Sequence, residues 1–432
     1  MKRIILSSLT IAVLMGSTAL AQEVTISVAA FEGGYGRDMY TKVVQAFEEA
    51  HPDIKVDLTI SRTIGEELAP RVAAGNVPDV VVLGQGNPSG LTENFVRGRM
   101  LEDLTGVLGM TVPGESVTVG EKLTPGIIGS LATNVYGDDK TYLMPMYASP
   151  TGLVHDAGLF RTKGWTVPTD FDAMFALGDT AKAEDISLFT YPTAGYLDSF
   201  FPAMLSTVGG PDFYRDVATY KKDVWTTPEA RKALDLTAKL LSYAAPTTVG
   251  YANSQDFTRN QQTVLSDTTL FMPNGAWIVN EMKDGPRPDT FAWGFAPVPA
   301  AQAGGTRYVV TTVEAAWMPA GATNKDAGKE FIAFLYSDTA AVIFAEANAI
   351  QPVKGLAEKL QGDAAIFYSI YGEPGVEAVV GGFAATKPVP GADIRAALFD
   401  SANSIIDGSL TVDQWQANLN EVSNRLSDQL AN

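Results

Sequence analysis

The 432-residue chain contains no cysteine and only two histidines. The first absence excludes disulfides, a cysteine nucleophile, thiolate metal sites and iron–sulfur clusters. The second leaves little for metal or triad chemistry. His51 stands in a helix-stop turn and His155 beside Asp156, and the chain has no H-E-x-x-H pair, no G-x-S-x-G elbow and no calcium loop. No metal and no cofactor is expected. Positive charge is also scarce, with 31 Lys and Arg against 49 Asp and Glu and a formal net charge of -18. Nucleic acid and anionic membranes are bound through clustered Lys and Arg, so neither is expected as a partner. Beyond the N-terminus no long apolar run appears.

The N-terminus itself reads MKR, then IILSSLTIAVLMGSTAL, with Ala19-Leu20-Ala21 before Gln22. A basic start, an apolar stretch and a small-x-small exit make residues 1–21 a cleavable secretory signal. The apolar stretch is broken by Ser, Thr and Gly and is short for a bilayer span, which argues against a membrane anchor. No Cys follows the cleavage point to accept a lipid. A soluble, unlipidated periplasmic protein is expected, two units more negative once Lys2 and Arg3 are lost. With 46% hydrophobic and 19% charged residues the composition is globular throughout, and the length exceeds one hydrophobic core.

Residues 24–30 alternate as a strand. Tyr40, Val43, Val44 and Phe47 recur at helical spacing up to His51-Pro52. Ile54, Val56, Leu58 and Ile60 alternate again, a helix over 66–74 follows, and VVVL at 80–83 is a fully buried strand. Strand and helix taking turns predict an α/β fold with a largely parallel sheet covered by helices. In open sheets of this kind ligands sit beyond the carboxyl ends of the strands. That rule selects Glu32 and Tyr35 in the loop 31–37, and Gln85 and Asn87 in the loop 84–90. The latter, GQGNPSG, is a poor phosphate-binding fingerprint, because Ser89 stands where the third glycine is required.

Several segments together resemble the extracellular solute-binding proteins of ABC importers, in the branch that mostly binds carbohydrates: VVQAFEEAHPDIKVDL, RVAAGNVPDVVVL, TYLMPMYASPTGLVHDAGLFRTKGWTVPTDFDAM, TLFMPNGAWIVNEM, WGFAPVPA and NKDAGKEFIAFLYSDTAAVIFAEANAIQPV. The resemblance implies a two-lobed α/β clamp of the maltose-binding-protein type. It puts residues 22–145 with 309–362 in one lobe and 146–308 with 363–432 in the other, with crossings near Met144–Tyr147, Thr306–Val309 and Gly362. It also implies a membrane permease as the partner and a monomer that closes about its hinge on a sugar.

In FMPNGAWIVNEM an apolar run stops at Pro273, and Asn274-Gly275 precede Trp277, which opens a helix whose N-terminus would add oriented N–H groups. Relatives commonly stack a Trp in this position on a sugar ring, so Trp277 is the expected platform. Asn274 and Gly275 would supply a side-chain amide and close backbone approach. Packing of Trp277 between helix and sheet is the plainer alternative. Trp165 resembles a packing position, Trp225 and Trp415 look like parts of exposed helices, and Trp293 and Trp317 look like core. Further candidates are Tyr147 at the hinge, Tyr196 and Phe200 one helical turn apart, and Glu314, next to Thr312 and Val313, which replace a glycine pair of relatives. Phe383 in the Gly-rich loop completes the set. Glu32 and Glu314 would suit an amino sugar. A clamp for another solute, such as a polyamine, and a secreted glycoside hydrolase with two cleft carboxyls are the rival classes.

Overall fold

The structure is a computed structural model that describes residues 23–124, 127–252, 256–356 and 360–430. The signal segment 1–21 lies outside the described residues. The first third follows the sequence pattern. β1 (Val24–Phe31), α1 (Asp38–Ala50), β2 (Ile54–Ser61), α2 (Ile64–Ala73) and β3 (Val80–Val82) come in order, with β1 paired in parallel to both β2 and β3. Met39, Tyr40, Val43 and Phe47 are the buried face of α1, as their spacing requires. The helix ends where the His51 N–H returns to the Phe47 carbonyl at 2.8 Å. Because β1 lies between β2 and β3, the loops after β1 and β3 open side by side at one sheet edge.

Two long strands tie this unit to the rest. β4 (Met144–Asp156) and β8 (Arg307–Trp317) are antiparallel from Met144–Ala316 to Thr151–Val310, and β8 also pairs with β3 through Val81 and Trp317. The sheet continues from β4 to β6 (Thr269–Gly275) and β5 (Ser187–Phe189), while β7 (Trp293–Ala296) joins β4 and β9 (Val376–Val380) joins β8. Its long path is β2-β1-β3-β8-β4-β6-β5.

Both faces are covered. Val80 and Val82 enter one core with Ile26, Phe47 and Phe331, whereas Val81 and Leu83 enter another with Phe95 and Trp317. At the far end of the long strands, Leu153, Phe271 and Val310 pack with Phe201 and Trp415, and Val154, Met272 and Val309 with Phe295 and Phe367. The alternation of a strand buried on both sides is thus repeated in each half. β4 leaves the first pair of cores after Ala148 and enters the second at Leu153; on β8 the change falls between Val313 and Val310.

β4 runs through Pro145 because the ladder shifts register between Pro145 and Tyr147, so no N–H is missed. Two expectations differ from the structure. Pro273 likewise does not stop β6, which continues to Gly275; β5 covers it only as far as Phe271, so the proline lies on an open edge. Trp225 and Trp415 are wholly buried, not exposed. The helix Val412–Ser427 lies on the turn Val224–Thr226, with Trp415 Nε1 donating to Ala397 O at 3.0 Å and Gln416 Nε2 to Trp225 O at 2.7 Å. Among the described residues no helix is long and apolar enough to cross a membrane.

Candidate functional site

The loop after β1 meets the end of β6 across the gap between the two halves. β6 ends at Gly275, and the chain turns so that the Trp277 indole folds back over it; a Cβ on Gly275 would collide with the six-membered ring. Glycine is therefore required first to seat the indole. Across from it, a Cβ on Gly34 would stand 3.1 Å from Trp277 Cβ, so Gly34 lets the two chains touch. Tyr35 presents an edge to Trp277, with centroids 6.4 Å apart at 84°, and Tyr196 flanks the indole at 6.3 Å and 67°. Phe257 continues the row beside Tyr196 at 6.3 Å. Aromatic surface from both halves converges on Trp277, which stays half-buried.

Polar groups line both ends of this row. At one end Glu281, four residues after Trp277, accepts from Gln261 Nε2 at 2.7 Å and from the Tyr196 hydroxyl at 3.5 Å. Burial raises its carboxyl above the ordinary range, while those bonds pull the other way. At the other end Glu314 faces Tyr147 across the β4–β8 ladder and accepts the Gly84 N–H at the mouth of β3. Burial pushes its carboxyl up to about 7, against the lowering effect of that N–H. The Tyr35 hydroxyl meets Ser149 Oγ, Ser149 lies 3.2 Å from the Tyr368 hydroxyl, and Thr311 Oγ1 lies 2.8 Å from the Tyr371 hydroxyl. Burial above all, with the Glu314 charge adding to it, keeps the phenols of Tyr35 and Tyr40 protonated far above neutral pH.

The remaining expected residues fall in different places. Glu32 is half-buried and paired with Arg37 at 3.3 Å, and Gln85 is half-buried in the loop after β3. The Asn87 amide oxygen is taken up by its own loop, accepting from Ser89 N and Oγ at 3.1 and 2.7 Å. Asn274 is entirely buried; its oxygen accepts the Gly275 N–H at 2.9 Å, and its NH2 has no partner among the described residues.

Three expected positions are turned away from the gap. Tyr147 is 5% exposed and belongs to the first core, behind Tyr35, with its hydroxyl 3.0 Å from that of Tyr40. Phe200 is 1% exposed and packs on Phe189 and Phe201. The segment that leads into it, Ala194–Ser199, is a 3₁₀ turn of three residues per turn, so Tyr196 and Phe200 point in different directions. Phe383 stacks on Tyr220 at 12° between planes, at the margin of the core that holds Phe201 and Trp415. The helix after Trp277 is a single turn, Ile278–Glu281, with Trp277 as its cap and no side-chain cap bond, so it offers no extended run of oriented N–H groups. The reading missed Glu281, Gln261, Phe257 and Ser149. Only Glu281 carried a local signal, its i+4 spacing from Trp277.

The model of the bacterial extracellular solute-binding proteins matches residues 33–342 of this chain, well over half of it. The chain belongs to that family. It is 24% identical over 332 residues to the diacetylchitobiose-binding protein NgcE of Streptomyces coelicolor, covering 74% of this chain and 68% of the relative. A chitin oligosaccharide binding protein superposes with a TM-score of 0.72 at 17% identity, covering 94% of this chain and 99% of the other. Maltose-bound MalE3 of T. maritima superposes with a TM-score of 0.69 at 21% identity, covering 92% and 98%. The family member is thus a two-lobed α/β binding protein, and the family and fold are those of binding proteins, not enzymes.

Proposed function

We propose that the protein captures a mono- or oligosaccharide between its lobes and delivers it to the membrane subunits of an ABC importer. The observation that carries this reading is the Tyr35–Trp277–Tyr196 row, with the Glu281–Gln261 pair at one end and Glu314 at the other. Sugar rings expose C–H patches on their faces and hydroxyls around their edge, so they need flat aromatics and hydrogen-bonding tips together. The saccharides named for the relatives point the same way. In this proposal Trp277 is the stacking platform, Tyr35 and Tyr196 its walls, and Glu281 and Glu314 the edge acceptors. Glu32 and Gln85 line the periphery, and the buried Asn274 holds the Gly275 turn beneath the platform. The lobes are the two units expected from the sequence, with the crossings a few residues further along, between Ala148 and Leu153 on β4 and between Val310 and Val313 on β8. The protein works as a monomer in the periplasm, exported by its cleavable leader.

A thermal-shift screen of the mature chain against N,N'-diacetylchitobiose, chitin oligosaccharides, maltose and raffinose tests the reading. A ligand that binds only the native state raises its melting temperature, by about 2.7 kcal/mol of stabilisation at a hundredfold excess over Kd. No shift with any saccharide overturns it. Glu281 and Glu314, two carboxyls raised by burial, favour a cationic amine as the second reading, and spermidine in the same screen separates the two. Chromatography of the incubated sugar checks that it is bound and not cleaved.

A further inference from the structure

The halves meet at a second place, away from the aromatic row. Arg395 rides on the C-terminal segment, whose Ile394, Leu398 and Phe399 are buried in the same core as Phe201. Its Nη2 donates to Asp198 Oδ2 at 2.6 Å, and the guanidinium lies over the Phe399 ring at 5.0 Å. Leu197, next to Asp198, belongs to that core too, so these contacts fix the side chain within its own half. Its other side lies against the opposite half. A Cβ on Gly86 would stand 3.2 Å from Arg395 Nη2 and 3.3 Å from Cζ, and Gly86 has a φ of +87°. The Gly86 N–H donates to Glu93 Oε1 at 2.6 Å, while Glu93 Oε2 is buried and has no hydrogen-bond partner among the described residues. Glu93 sits on α3 (Leu91–Arg97), whose Phe95 and Val96 pack in the core with Trp317.

We infer that Arg395 is the positioning residue that holds the clamp shut: aimed in advance by Asp198, its guanidinium docks on the Gly86 backbone under the attraction of Glu93 when the lobes close. A side chain already fixed by one carboxylate loses little freedom on meeting a second, and the flat guanidinium can rest on a backbone that lacks a Cβ. A pair serving only the stability of one half would need Asp198 alone. It would not lay the guanidinium against the Gly86 backbone, beside a carboxylate of the other half. The inference rests on the two-lobed clamp of the proposed function but not on the identity of its ligand.

The chain lacks cysteine, so Asp57→Cys on β2 and Lys182→Cys, both exposed, carry one nitroxide label in each half. Pulsed electron paramagnetic resonance then reads the distance between lobes in the ligand-free protein. With the latch intact, a short-distance population is expected. Its ratio to the open form should fall about fivefold in Glu93→Gln and in Arg395→Gln, the scale of a partly exposed ion pair, with Arg395→Lys between the unmodified protein and Arg395→Gln. Glu93→Gln leaves the Arg395–Asp198 pair in place, so a loss of closure there cannot come from damage to the second lobe. A role confined to stability would move the melting temperature and leave the distances alone. Superimposable distance distributions in the unmodified pair and all three variants overturn the inference. A failure of the carbohydrate reading would appear separately, as no thermal shift with sugars while the distances still respond to Glu93→Gln.

Discussion

The surroundings of Trp317 and of Trp277 put the same side chain to opposite uses. Trp317 ends β8, is fully buried, packs on Phe95 at 4.7 Å and spends its indole N–H on the Leu83 carbonyl at 2.9 Å. Trp277 follows β6, is half-buried, and meets aromatic edges from both halves. What separates them is what stands opposite: at Trp317 a helix of the same half closes the space, and at Trp277 the neighbour is a loop of the other half. A large aromatic at a strand end is thus core or platform according to whether its contacts can come apart.

Removing each in turn separates the two roles. Trp317→Ala, and Phe200→Ala in the other half, are expected to cost about 3–5 kcal/mol of stability, read as a lower denaturation midpoint, while the folded fraction keeps its affinity. Trp277→Ala should do the reverse. Saccharide affinity measured by calorimetry is expected to fall by about 2 kcal/mol, roughly thirtyfold, with the melting temperature nearly unchanged. An unchanged affinity would make Trp277 a packing residue like Trp317. Gly275→Ala forces the indole off its seat and is expected to cost about 1–2 kcal/mol in binding; crystallography of the variant would show the ring displaced.

The smallest effect concerns pH. Burial holds Glu314 at about 7 against an ordinary 4.5, so the native state binds its proton more tightly than the unfolded chain does. This contribution to stability is fully present below about pH 4.5, is lost as pH rises to about 7, and changes no further above that. Glu314→Gln should flatten the decline, read as a denaturation midpoint that changes less between pH 4.5 and about 7. A decline that persists in the variant would assign it to another group, Asp267 being the first to try, since burial and Asp156 raise it to about 6.

Much of the fold was legible because its signals are local. The buried stripe of α1, the alternation in β1 and β2 and the apolar run of β3 each fit within a dozen residues, and the loops after β1 and β3 followed from their order. Within the candidate site, Trp277 and Tyr35 could be picked out for the same reason. Phe200 was misread because helical spacing was assumed where the chain makes a 3₁₀ turn. Pro273 was misread because a proline ends a strand only when a neighbour needs its N–H. Trp415 looked exposed because the chain that buries it, around Ala397 and Trp225, lies far from it in sequence.

The sequence by itself determined the alternating strands and helices, the absence of thiol chemistry, the acidic balance and the family. These depend on composition and on neighbours a few residues apart. Only the tertiary structure decided which aromatic rings face the gap, that Gly275 makes room for an indole, and that Arg395 reaches Gly86 from the other half. Those outcomes depend on contacts between segments up to some three hundred residues apart, whose meeting is set by the register of β4 and β8 and by no local pattern.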